Sequence, residues 1–196
     1  MRSTSIAAFL KPGRRVHLLG CGGAGMVGLG VILRELGISV TGTDLAESAN
    51  TGLLRQRGIP VTIGHHPDHL PPAPGPDLLL VRSSAVRDDN PEFAAGVAAG
   101  CPHLRRGELL AELAAAYRRP VAVAGSHGKT SVTALLAHVL RQAGLDPGYC
   151  IGGKVIGWNA PAAAGNGDLF ICESDESDGT QIHLRSHLAA VVNLED

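Results

Sequence analysis

Large rings are scarce in this chain: aromatic residues make up 3% of it, one Trp, two Tyr and three Phe, against 26 Gly and 12 Pro. A chain so poor in bulk and so rich in turn residues reads as many short αβ connections. Excess positive charge is missing too. Lys and Arg number 17 against 18 Asp and Glu, a net charge of -1, which argues against a general nucleic-acid or membrane-surface binder. Any anionic ligand must therefore be held by local geometry. No long apolar run exists either. The opening "MRSTSIAAFLKPGRR" offers only "IAAFL" before Lys11 and Pro12, which fits neither a signal peptide nor a membrane anchor, and nothing downstream approaches a spanning length. Cys21, Cys101, Cys150 and Cys172 lie far apart with no C-x-x-C pair, which fits reduced thiols and a cytoplasmic protein better than a disulfide framework.

What is present is alternation. "VHLLG" reads as a strand, "MVGLGVILRELG" as a helix stopped by Gly37, "ISVTGTD" as a strand ending on Asp44, and "ESANTGLLRQRG" as a helix stopped by Gly58. "IPVTIG" and "DLLLVRSSA" are further strands, the latter buried on both sides to judge from its unbroken Leu and Val. Such alternation predicts a parallel, doubly wound α/β sheet. "NPEFAAGVAAG" predicts a helix with Asn90 as N-cap and Pro91 in its first position. "RRGELLAELAAAYRRP" predicts another, ended by Pro120, where the domain boundary is expected: 1-119 and 120-196. Beyond it come the strand "VAVAG", the helix "TSVTALLAHVLRQAG", and the strands "DLFICE" and "LAAVVNLE".

Two stretches carry chemistry. Gly20-Cys21-Gly22-Gly23-Ala24-Gly25 matches G-x-G-x-x-G between a strand and a helix. There glycines allow a tight turn and close approach to a diphosphate, and the helix N-terminus supplies free N–H groups. Asp44 follows Gly25 by 19 residues at the end of the next strand, where a carboxylate accepts from a ribose. The pattern indicates a diphosphate and a ribose, leaving nicotinamide, flavin or sugar open. In "GSHGKTS" the backbone from Gly125 through Ser126, His127 and Gly128 to Thr130 can cradle phosphates, Lys129 neutralise the β and γ oxygens, and Thr130 ligate Mg²⁺, as in ATP-binding loops. Val123 stands where the full pattern has Gly, so the loop is a variant. Glu173, last residue of an apolar strand, is the candidate Mg²⁺ carboxylate, and the acidic run after it, Asp175, Glu176 and Asp178, is a candidate solvated turn. "HHPDHL" invites zinc, but Pro67 breaks any helix that could align its histidines.

Taken together, "HLLGCGGAGM", "TGTDLAES", "SSAVRDDNPE", "RRGELLAEL", "AVAGSHGKTS", "AGLDPGYCIGG" and "ESDESDGTQIHL" resemble, in order and spacing, the Mur ligases of peptidoglycan synthesis. The resemblance implies a Rossmann-like domain that binds the UDP of a UDP-sugar, followed by the first part of a P-loop ATPase domain. It implies Gly22, Gly23, Ala24 and Gly25 on the diphosphate, Asp44 on the ribose, and His65 with Ser83, Ser84 and Ala85 along the uridine. It places Lys129, Thr130, Ser131 and His127 on the ATP side and Glu173 on a metal ion, with Ser126 and Ser131 where Thr is usual. The implied reaction is ATP-dependent amide formation between UDP-N-acetylmuramate and L-alanine through an acyl phosphate. The glycine-rich "GCGGAGM" favours that branch over the one that reattaches recycled peptides. Family members are three-domain proteins more than twice as long, continuing past "VVNLED", where Asp196 replaces a usual Ala. The resemblance thus implies an N-terminal fragment, inactive alone. Rival expectations are an NAD-dependent oxidoreductase, which leaves "GSHGKTS" without a task, and a non-catalytic nucleotide-binding module.

Overall fold

The computed structural model describes residues 9–174 and 180–194. The chain divides into two compact units, Met1–Arg106 and Gly107–Asp196.

In the first unit β1 (Arg15–Leu19), α1 (Ala24–Glu35), β2 (Ser39–Asp44), α2 (Ala49–Gln56), β3 (Val61–Ile63), β4 (Leu78–Arg82), α3 (Pro91–Ala98) and β5 (His103–Arg105) follow one another. The strands form one wholly parallel sheet in the order β3-β2-β1-β4-β5. This is the Rossmann-like α/β arrangement expected from the alternation. Its helix starts are chemically determined. Ser48 accepts from the Thr51 N–H while the Thr51 hydroxyl takes the Ser48 N–H, a capping box opening α2. Asn90 accepts from the N–H groups of Glu92 and Phe93 and Pro91 supplies the first turn of α3, as its sequence predicts.

Leu78 to Val81 are fully buried in β4, the signature of a strand covered on both faces. On the face carrying Leu19, the side chains of Leu78, Leu80, Val86, Phe93 and Cys101 form one cluster under α3. Full burial of each large aliphatic side chain contributes about 1.5–3 kcal/mol. All four cysteines are free and buried, and burial, followed by the charge of Asp44, pushes the Cys21 thiol up to about 12.

The second unit begins within α4 (Arg106–Ala115) and continues through β6 (Arg119–Ala124), α5 (Lys129–Gln142), β7 (Gly148–Cys150), β8 (Ala162–Ala163), β9 (Leu169–Glu173), α6 (Thr180–His183) and β10 (Leu188–Val191). Its sheet runs β10-β6-β9-β7-β8, parallel except for β8 against β7. Val123, Ala137, Tyr149, Ile151 and Ile171 form its core between α5 and the sheet.

One expectation needs correction. The helix ends at Ala115, before Pro120, which is instead the second residue of β6, in register with Phe170. Tyr117 stacks on Phe170 and donates to the Ala164 carbonyl at 2.6 Å, so the chain leaves the helix to join the second sheet. Proline is tolerated so close to the start of a strand, and its carbonyl still accepts from the His187 N–H. Among the described residues no helix is long and apolar enough to cross a membrane.

Candidate functional site

The first site is built where β1, β2 and β4 end side by side, Leu19 being in register with both Thr43 and Arg82. Gly20 turns the chain with φ +73°, and a Cβ there would lie 2.5 Å from Ser83 Oγ, so only glycine fits. The N–H groups of Gly20 and Cys21 both reach the Thr43 carbonyl, at 2.9 and 3.0 Å. Asp44 Oδ2 accepts from the Gly22 N–H at 2.7 Å, and Asn50 Nδ2 donates to the Gly22 carbonyl at 2.7 Å. Asp44, expected as a ribose acceptor, pins the loop through that bond. Since Gly23 N–H bonds the Gly20 carbonyl, the next amides are those of Ala24 and Gly25, at the start of α1 and ahead of its internal ladder. Helix α1 has no side-chain cap and no acid in its first turn, which leaves its dipole to favour an anion.

Two further groups stand at this site. A Cβ on Gly25 would fall 2.5 Å from Arg106 Nη1, so a guanidinium lies against the first turn of α1. Ser83 is tied by its N–H to the Leu19 carbonyl at 3.0 Å, and the exposed Ser84 and Ala85 form the turn closed by Val86 N–H on the Ser83 carbonyl. His65 follows β3, and its Nδ1 lies 2.8 Å from Glu92 Oε2 and 3.2 Å from Thr43 Oγ1. The neighbouring histidines of "HHPDHL" serve a single 3-10 turn, Pro67–His69: His66 caps it by accepting from the Asp68 N–H, and His69 donates to the Gly64 carbonyl.

The second site lies between β6 and α5. Strand β6 continues through Ala124, with Val123 fully buried opposite Glu173, so the loop is the short segment Gly125 to Gly128. Val123 therefore replaces the expected glycine because its position belongs to the core. Gly128 caps α5 at φ +81°, a left-handed conformation that suits glycine. Lys129 Nζ donates to the carbonyls of Gly125 and Ser126 at 2.7 and 3.4 Å, curling over its own loop. Asn193 brackets His127, accepting from its N–H at 3.0 Å and donating to its carbonyl at 3.1 Å. Thr130 and Ser131 are exposed in the first turn of α5. Thr130 Oγ1 donates to Glu173 Oε2 at 3.1 Å, and Gly152 N–H holds Glu173 Oε1 at 2.7 Å.

The expected residues therefore gather as two separate clusters, one in each unit. Asp175, Glu176 and Asp178 lie outside the described residues. Sequence reasoning missed Asn50, Glu92, Arg106, Gly152 and Asn193. For Gly152 a signal existed, a Gly-Gly directly after the strand-like "YCI".

A family model described as "Mur ligase family, catalytic domain" matches residues 15–118. The chain is similar to the UDP-N-acetylmuramate--L-alanine ligase of Sorangium cellulosum, 46% identical over 93% of this chain and 38% of that protein. It thus spans less than two fifths of that relative's length. A solved structure of UDP-N-acetylmuramate-alanine ligase from Thermotoga maritima superposes with a TM-score of 0.83 at 30% identity, covering 93% of this chain and 42% of that one. The UDP-N-acetylmuramate:L-alanyl-gamma-D-glutamyl-meso-diaminopimelate ligase from Neisseria meningitides gives 0.83 at 28% identity, over 93% and 61%.

Proposed function

The chain belongs to the Mur ligase family, and from that premise we propose that it carries the nucleotide-sugar and ATP parts of an ATP-dependent ligase joining L-alanine to UDP-N-acetylmuramate in the bacterial cytoplasm. The observation that carries this reading is that each unit has its own glycine-containing strand–loop–helix turn, and the two are built differently. The first relies on backbone amides, Asp44 and Arg106; the second adds Lys129 and the Thr130–Glu173 pair. A reaction that needs a nucleoside diphosphate as handle and a triphosphate as energy source uses both. An oxidoreductase would use only the first.

In this reading Ala24 and Gly25 with Arg106 hold the UDP diphosphate, while Asp44, His65 and Ser83 to Ala85 address its nucleoside. The sugar's carboxylate attacks the γ-phosphorus of ATP and ADP leaves, the γ oxygens being neutralised by Lys129 as its ammonium turns away from the carbonyls of its own loop, Gly125 and Ser126. A carboxylate is a poor electrophile and the acyl phosphate so formed a good one. The alanine amine, as the neutral base, then attacks the acyl carbon, the C–O bond to phosphate breaks, inorganic phosphate and a proton leave, and the amide bond forms. Holding the substrate by its distant UDP group supplies the positional entropy for the step.

Thr130 Oγ1 and Glu173 Oε2 are hard oxygen donors side by side, which fits magnesium in donor type. Bound there, the ion would supply further charge neutralisation on the transferring phosphoryl group.

A second reading, ligation of a recycled peptide in place of L-alanine, is favoured by the equal superposition on the Neisseria enzyme. The 46% identity to an L-alanine ligase supports the first. The deciding experiment is calorimetry of UDP-N-acetylmuramate, Mg-ATP and NADH on this chain. It is followed by phosphate release with L-alanine or with L-alanyl-γ-D-glutamyl-diaminopimelate, in a protein extended to the relatives' length. Binding of both nucleotides and release with L-alanine is expected. Tight NADH binding without UDP binding would refute the ligase, and release with the tripeptide alone would move it to the recycling branch.

A further inference from the structure

Under α3 the first sheet buries Glu92 and His17, two ionisable side chains to which the proposed chemistry gives no task. Glu92 is 0% exposed, yet both its oxygens are occupied: His17 Nε2 lies 2.7 Å from Oε1, and His65 Nδ1 and Thr43 Oγ1 each lie 2.8 Å from Oε2. His17 is equally buried and meets Thr41 Oγ1 with its other nitrogen at 2.7 Å. Burial alone would push the Glu92 carboxyl up, but the hydrogen bonds from His17, His65 and Thr43 outweigh it, and the group is held below its ordinary value. It is therefore a carboxylate, which can only accept.

Every group on a carboxylate must donate, so the neighbours' protons are fixed. His17 carries hydrogen on Nε2 and His65 carries it on Nδ1. A neutral His65 ring then has a bare lone pair on Nε2. That atom has no partner among the described residues. It is not sealed in either, because Thr133 Oγ1 is the one fully buried side-chain polar atom left unpaired among them. Thr43, which shares Glu92 with His65, immediately precedes Asp44.

We propose that Glu92 is a positioning residue that locks His65 in its Nδ1–H form, so that His65 Nε2 accepts a hydrogen bond from one N–H or O–H donor of the ligand's uridine half. The proposal rests on the reading that the first loop binds a UDP group. The donor is either the imide N–H of uracil or the 2′-hydroxyl of the ribose. Cytosine presents a lone pair where uracil has that N–H, so a base contact would reject CDP. A ribose contact would instead penalise 2′-deoxy-UDP.

The test combines nitrogen-15 NMR of histidine-labelled chain at about pH 8, where imidazoles are ordinarily neutral, with calorimetry of UDP, CDP and 2′-deoxy-UDP. The His65 signals are assigned by their loss in His65→Gln. The expected result is a protonated Nδ1 and a bare Nε2 in the wild type, with one of the two analogues binding at least about tenfold more weakly than UDP. In Glu92→Met, of similar volume but without an acceptor, the proton moves to Nε2, UDP weakens by about tenfold, and the preference between UDP and that analogue narrows. UDP binding with the wild-type proton on Nε2, or with both analogues as tight as UDP, overturns the proposal alone. So does a folded Glu92→Met that keeps wild-type UDP affinity. Absence of any UDP binding to the wild type overturns the reading of the loop and the proposal with it. Should Glu92→Met not fold, the wild-type proton position and analogue ratios still decide.

Discussion

Thr130 donates its hydroxyl to Glu173 across 3.1 Å, although 43 residues separate them, and the Gly152 N–H fixes the other carboxylate oxygen at 2.7 Å. The start of α5 and the end of β9 therefore present two oxygen donors as one unit. A Cβ on Gly152 would come within 2.9 Å of Glu173 Oε2, so the backbone approaches the carboxylate as closely as glycine permits. Glu173→Gln keeps the shape and removes the charge. Phosphate release in a protein extended to the relatives' length should fall by about a hundredfold or more, with UDP affinity unchanged. Wild-type turnover in Glu173→Gln, measured against magnesium concentration, would remove Glu173 from the metal site.

Lys129→Ala separates the two loops. Without the ammonium now curled onto Gly125 and Ser126, Mg-ATP binding to this chain should weaken by at least about tenfold, while UDP titrates as in the wild type. Calorimetry with each nucleotide is the measurement, and parallel loss of both would mean the sites are misplaced.

Gly22→Ala probes the first loop without touching any charge. The added methyl would sit 3.0 Å from both Asp44 Oδ2 and Thr51 Cγ2 and 3.1 Å from Ser48 Oγ. Relief requires these side chains or the loop to give by a few tenths of an ångström, which strains the 2.7 Å bond from Gly22 N–H to Asp44. UDP affinity should drop by about tenfold, with Mg-ATP binding retained. Unchanged UDP titration in the variant would show that this loop is not where UDP sits.

Acid should loosen the first unit through Glu92. Its carboxyl titrates below the ordinary 4.5 when folded and at the ordinary value when unfolded. The stability it contributes is therefore complete above that value and lost as pH falls through the folded one. Urea unfolding monitored from neutral pH down to about 3 should show this loss, with a shallower slope in Glu92→Gln. Identical slopes in the two proteins would contradict it.

Thr133→Val should stabilise the second unit. The Thr133 hydroxyl is buried in α5 without a partner among the described residues, and an unpaired buried hydroxyl costs about 1–3 kcal/mol that a methyl of the same shape does not. A rise in unfolding free energy of about 1 kcal/mol is expected. A lower melting temperature would mean the hydroxyl has a partner in solution.

The parts legible in the sequence were those set by local rules. Strand-then-glycine-then-helix placed both loops, the Asn90–Pro91 cap began α3, and unbroken Leu and Val marked β4 as doubly covered. Pro120 misled because a breaker after a helical pattern says the helix has ended, not where. Tyr117 packing on Phe170 had ended it at Ala115. β5, β7 and β8, of three residues or fewer, are too short for any period to register. Glu92 stayed hidden for another reason: it follows a helix cap like any first-turn acid, and its partners His17 and His65 lie 75 and 27 residues away. Val123 looks like a defect in the glycine pattern of the second loop and is a core residue whose strand runs one step further than the pattern assumes.

Asn193 grips the backbone of His127 from 66 residues downstream, and its own main-chain N and O lie 3.0 and 3.1 Å from where a Cβ on Gly125 would stand. During synthesis α5 and the glycines around its start leave the ribosome well before β10 exists. Local turn chemistry can draft the loop early, but its brace arrives only after β10. Completion of the loop's bracing is thus timed by Asn193 rather than by Lys129, and polypeptides halted short of it would emerge with the lysine in place and the loop unbraced.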